Sequence, residues 1–167
     1  MENLFMFLAT SLILRIASPK FKRYVIGKSG CTSLLLSDGN ELHCKHTKEG
    51  DVIYFNDASV DDVTYGLICV RMKQVYALQQ TETILVQYIN RARKPLHIAY
   101  NISMEVEKTA SQITITDYWQ DNEGIDWKIK GYTNGKTVAI LYVKNVTQAA
   151  VKEHDAFLNG FRFYQSS

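Results

Sequence analysis

With only two prolines and nine glycines in 167 residues, the chain has no collagenous or low-complexity tract and no linker that would mark a domain boundary. Charge of one sign is also lacking: 19 basic and 17 acidic residues are mixed along the sequence, for a formal net charge of +2. That balance provides no field to steer toward a phosphate backbone or an anionic lipid surface, so nucleic acid is not an expected partner. The densest basic stretches, Lys20, Lys22 and Arg23 and then Arg91, Arg93 and Lys94, are short and read as solvated faces.

Cysteine is sparse and unpatterned. Cys31, Cys44 and Cys69 form an odd set without a CxxC pair, which argues against a disulfide framework and against a zinc ribbon. Cys31 and Cys44 flank a segment that reads as a hairpin, where an oxidising compartment would permit a cross-strand disulfide. Cys69 sits in the apolar run from Gly66 to Val70 and reads as a small buried hydrophobe. No Walker loop, GxGxxG, GxSxG or HExxH occurs, so the familiar nucleotide and hydrolase machineries lack support and no cofactor is expected.

Long hydrophobic runs are missing apart from Leu4 to Ile16. This stretch is too short to cross a bilayer. Glu2 stands where a secretory signal carries positive charge, Arg15 interrupts the end, and no small-x-small cleavage site follows. The expectation is therefore an apolar helix over residues 1–17 that packs on the core or on a partner, with a cytoplasmic location; an exported protein with residues 1–18 as signal is the alternative.

What remains is the composition of a globular protein, 46% hydrophobic and 22% charged, long enough to bury roughly 70% of its unfolded surface. Residues 24–27 and 31–36 read as strands, Asp38-Gly39-Asn40 as a tight turn, and 41–46 as the returning strand of a hairpin. Residues 52–55 form another candidate strand. Residues 63–72 are apolar on both faces, with Val63, Tyr65, Leu67 and Cys69 on one side and Ile68 and Val70 on the other, so this strand should be central and covered on both sides.

The period then changes. Ile84, Leu85, Tyr88, Ile89 and Ala92 recur at helical spacing over 81–94, and Pro95 ends the helix. Ile98, Tyr100, Ile102, Met104 and Val106 alternate as in a half-buried strand. Residues 113–119, 125–132 and 137–143 read as a meander with turns at Asn122-Glu123-Gly124 and Asn134-Gly135, and 147–161 as a final helix capped by Thr147. The reading is one α+β domain over 1–167, its body at 20–163: a twisted, mainly antiparallel sheet of about six or seven strands with a middle and a C-terminal helix packed on it.

Candidate chemistry is thin. His43, Cys44 and His46 are the densest ligand cluster, but on a strand His43 faces away from the other two, and two ligands do not make a metal site. A nucleophile would have to be assembled from Cys31 or Cys44 with His46 or His97. Asp57, Asp61 and Asp62 lack the spacing of a calcium loop, and Asp121, Glu123 and Asp126 fall at a hairpin tip; both groups read as solvated turns. Tyr118, Trp119, Trp127 and Tyr132, on adjacent strands, are the one group of rings that would form a ligand- or protein-binding patch if the sheet left them uncovered.

The closing phrase Asp155-Ala-Phe-Leu-Asn-Gly-Phe-Arg-Phe163, preceded by the strand Thr137-Val-Ala-Ile-Leu-Tyr-Val143, resembles the PsbP-like superfamily, as does the order of elements over 20–163. That superfamily includes thylakoid PsbP proteins, Ran-binding Mog proteins and adaptor chaperones of type VI secretion. The resemblance implies a noncatalytic module that binds a protein partner or a second copy of itself, and it carries over no site residue. An enzyme built from the scattered Cys and His residues, or an immunity-type inhibitor, are the alternatives.

Overall fold

The computed structural model describes residues 19–37 and 41–164. The expected helix over 1–17 and the turn at 38–40 lie outside the described residues. The described residues form ten strands: β1 (Phe21–Val25), β2 (Cys31–Leu36), β3 (His43–His46), β4 (Val52–Val60), β5 (Val63–Arg71), β6 (Ile98–Lys108), β7 (Ile113–Asp121), β8 (Asp126–Thr133), β9 (Thr137–Lys144) and β10 (Arg162–Phe163). Helix α1 (Leu78–Arg93) separates β5 from β6. A 3-10 turn (Gln148–Ala150) leads into α2 (Val151–Leu158) before β10.

Seven strands form one antiparallel sheet in the order β3-β4-β5-β9-β8-β7-β6. The expected meander is its β7-β8-β9 half, with Gly135 at φ +86° in the Asn-Gly turn. As anticipated, β5 lies inside the sheet with both faces covered. Tyr65, Leu67 and Cys69 join one core with Leu141, Val143, Phe157 and Phe161, while Val70 and Ile68 join the other with Leu85, Ile89, Ile115, Trp119 and Ile140. Helix α1 therefore covers one face, and α2 with the small sheet β1-β2-β10 covers the opposite face.

Several expectations are corrected. Residues 31–36 do not pair with 41–46: β2 pairs with β1 and β10 in the small sheet, whereas β3 is an edge of the large one. The chain crosses between sheets here, because β2 carries buried Cys31, Ser33 and Leu35 that need a covered face and β3 is exposed throughout. A Cys31–Cys44 disulfide is thereby excluded; all three cysteines are free.

Strand β4 runs on through Asp57 to Val60 and turns at Asp61-Asp62, both with positive φ (49° and 64°), the primed turn that suits a two-residue hairpin and that aspartate tolerates. The final helix is shorter than the 147–161 pattern. Thr147 makes no side-chain cap, and the helix stops where Gly160 backs onto Leu34, so closely that a Cβ there would stand 2.7 Å from it.

Candidate functional site

The four rings offered as a patch are divided by the alternation of the strands. Trp119 on β7 and Trp127 on β8 stand directly opposite each other on the α1 face, and both are buried. Tyr132 points to the other face, buried, with its hydroxyl donating to Leu158 O at 2.6 Å. Tyr118 shares that face but is half-buried beneath the Lys128 ammonium, 5.6 Å from the ring centroid. Three of these rings are core residues, and they do not form a common surface.

The indoles bring two buried carboxylates with them. Asp117, fully buried, accepts from Trp119 Nε1 at 2.6 Å, from Asn101 Nδ2 at 2.8 Å and from the Arg93 guanidinium at 3.3 Å, so it joins α1, β6 and β7. Asp121 was expected to be solvated. It is buried instead, and accepts from the backbone of Glu123 (2.9 Å) and Ile125 (3.0 Å) and from Trp127 Nε1 (3.0 Å). Burial pushes its pKa up, but these donors and Lys144 outweigh it and hold the carboxyl below its ordinary value. Both carboxylates are consumed by structural partners.

The scattered Cys and His residues do not converge. Cys44, His43 and His46 are exposed on edge strand β3, with His43 tilted over Phe55 at 5.2 Å. His97 is exposed in the turn before β6, at the opposite edge of the large sheet. No cluster of three metal-ligating side chains occurs among the described residues. The remaining histidine, His154, is buried: its Nε2 accepts from Thr147 N–H at 3.2 Å, which places the proton on Nδ1, facing Tyr65 Oη at 3.1 Å.

Two features escaped the sequence pattern. One is a pair of thiols: Cys31 on β2 and Cys69 on β5 are buried in the same core between the two sheets. The other is β6. Its alternation anticipates a buried face, yet the strand is exposed over its length, with Tyr100 67%, Ile102 61%, Met104 47% and Val106 37% accessible. Register shifts at Ile98/Tyr100 and Asn101/Ser103 break the apolar row between the two faces. Beyond them the pairing is regular: Met104 and Val106 align with Asp117 and Ile115 on the α1 face, and Glu105 and Glu107 align with Thr116 and Thr114 on the other. This outer edge is unpaired among the described residues.

Taken with the covered β5, the meander and the closing helix, this architecture is the PsbP-like α+β fold. The solution structure of cyanobacterial PsbP (CyanoP) from Synechocystis sp. PCC 6803 is similar to it, with a TM-score of 0.56 over 91% of this chain and 96% of that one at 15% sequence identity. No protein-family model matches the chain, and the comparison with curated proteins finds no match. No helix among the described residues is long and apolar enough to cross a membrane.

Proposed function

We propose that the chain is a noncatalytic accessory domain that takes an extended segment of a protein partner along the free edge of β6. The exposed, regular stretch from Ser103 to Lys108 carries this reading. An edge strand offers unpaired backbone donors and acceptors, and natural sheets protect such edges or use them for strand addition. Here the bulges that would discourage pairing lie in the first half of β6, and the second half is left flat with Met104 and Val106 in solvent.

Charge sets the chemistry of the partner. Lys108 is ion-paired with Glu82 of α1, while Glu105 and Glu107 have no ion pair among the described residues. The matching segment alternates apolar side chains, toward Met104 and Val106, with basic ones toward Glu105 and Glu107. The dispersal of Cys44, His46 and His97 removes support from a scattered-residue enzyme. Three free thiols, one of them exposed, favour a cytoplasmic setting, and the absence of any linker favours one domain.

A synthetic peptide of alternating valine and lysine, titrated into the labelled protein, tests this by amide chemical shifts. Shifts confined to residues 103–108, abolished by Met104→Lys, are expected. Shifts elsewhere or none at all overturn the reading. A dimer in light scattering that Met104→Lys dissolves gives the edge to a second copy instead, and β6 amides that lose protection when residues 1–17 are deleted give it to the chain's own segment.

A further inference from the structure

Cys31 lies on the wall of the cleft between the small sheet and the β8–β9 turn, a volume of about 460 Å³ lined also by Ser29, Lys28, Arg71, Lys73 and Lys136. Four cations and no carboxylate face this space, and none of the four is ion-paired among the described residues. Cys69 is wholly inaccessible, two residues from the end of β5. The two thiols are contributed by different sheets and pack in the same core. They are thus ordered by access: Cys31, only 2% exposed, still lines the cleft, whereas Cys69 is fully covered and does not.

The electrostatics reinforce that order. Donation by the Cys69 thiol, opposed by burial and aided by Ser29 and Thr137, brings Cys31 down to about 7. Cys69 is pushed up by the same hydrogen bond and by its burial. A thiolate near cations is the reactive form of cysteine, and a buried neutral thiol is inert until a neighbouring sulfur becomes electrophilic.

We infer that Cys31 is a site of reversible oxidation by hydroperoxides, with Cys69 as the thiol that closes a disulfide between the two sheets. The Cys31 thiolate attacks one peroxide oxygen, forming an S–O bond as the O–O bond breaks, and the departing hydroxide or alkoxide takes up a proton. The sulfur of Cys69 then attacks that of Cys31, forming the S–S bond and expelling hydroxide, which takes the Cys69 proton as water. With hydrogen peroxide the sum is two thiols and one peroxide to one disulfide and two waters: sulfur is oxidised and oxygen reduced. The bond joins β2 of the small sheet to β5, an interior strand of the large one, closing the loop between 31 and 69, so the oxidised protein melts about 5 °C or more higher.

The test uses Cys44→Ser, which removes the exposed thiol, treated with hydrogen peroxide and read by intact mass and non-reducing peptide mapping. Expected is the loss of two hydrogens, a single cross-linked peptide joining Cys31 with Cys69, and return to the starting mass with a dithiol reductant. In Cys44→Ser/Cys69→Ser the same treatment adds oxygen to Cys31; in Cys44→Ser/Cys31→Ser it leaves Cys69 unmodified. Two intact thiols in Cys44→Ser after treatment, or oxidation of Cys69 at an undiminished rate without Cys31, overturns the inference.

Discussion

Trp119 donates its indole N–H to the carboxylate of Asp117, two positions earlier on the same strand, at 2.6 Å. The alternation of a strand puts both side chains on the α1 face, where the acid also gathers Arg93 and Asn101. A buried carboxylate is tolerated because every group around it donates.

Removing that acceptor strands three side-chain donors at once, and with them the Tyr118 N–H that also bonds this carboxylate at 2.9 Å. Asp117→Ala should lower stability by about 2–4 kcal/mol, whereas Trp119→Phe at constant Asp117 loses one hydrogen bond and some packing and should cost about 1–3 kcal/mol. Urea unfolding of the two variants checks the order. Equal costs would mean that the carboxylate organises nothing beyond the indole.

Acid should weaken the fold through His154. Burial disfavours its protonated form and pushes its pKa below the ordinary 6.5, against the opposing pull of Glu153 and Asp155. The unfolded chain therefore takes up a proton that the folded chain refuses, and stability falls as pH drops through 6.5 toward the lower folded value. Melting temperatures across this range should fall less for His154→Gln than for the parent. An unchanged slope would assign the acid response to other groups.

At the alkaline end, burial first and Glu153 second raise Tyr65 from 10.0 to about 12. The folded protein keeps the phenol neutral after the unfolded chain has ionised, so stability is full below pH 10 and lost as pH rises toward 12. Tyr65→Phe should flatten this limb without abolishing it, since Tyr88 is also pushed to about 12. Denaturant midpoints at increasing alkaline pH test the difference.

Gly66 and Gly124 should respond oppositely in size to the same change. A Cβ at Gly66 would stand 2.0 Å from the ring of Tyr142, its cross-strand partner, which is itself packed against Trp127 at 5.4 Å. The ring cannot yield, and Gly66→Ala should cost about 1–3 kcal/mol by overpacking. Gly124 has open space around it and only its φ of +77° to lose, so Gly124→Ala should cost about 1 kcal/mol. Thermal melts of the pair decide it.

Substitutions on β6 should leave the fold intact. Ile102→Lys and Met104→Lys change solvated side chains, and stability should stay within about 0.5 kcal/mol of the parent. A large loss in either would show that the strand is covered by something in the folded chain.

Much of the framework was readable from local pattern. The two apolar faces of 63–72 announced a strand inside a sheet, and the Asn-Gly turn and period-two runs placed β7, β8 and β9. Helix α1 was readable from its stripe of Leu85, Ile89 and Ala92. The turn at Asp61-Asp62 was anticipated, but not that the strand before it runs on through Asp57 to Val60, because polar Asn56, Asp57 and Ser59 hide its alternation. The carboxylates were missed because an acid near a tryptophan in sequence gives no sign of whether water or an indole will solvate it.

Periodicity is a property of neighbours along the chain, so the sequence could specify which stretches are strands and which residues share a side. It could not say which side is covered or which edges meet, because those depend on contacts between segments far apart. Cys31 seemed to belong opposite Cys44 until β2 paired with β1 and β10 and placed its side chain in the core that holds Cys69. Likewise, the alternation of β6 reads as half-buried, but at its last place in the strand order no described element covers it. Both candidate sites come from the docking of two sheets and the order of strands within one, which free energy summed over the whole molecule decides and no local window contains.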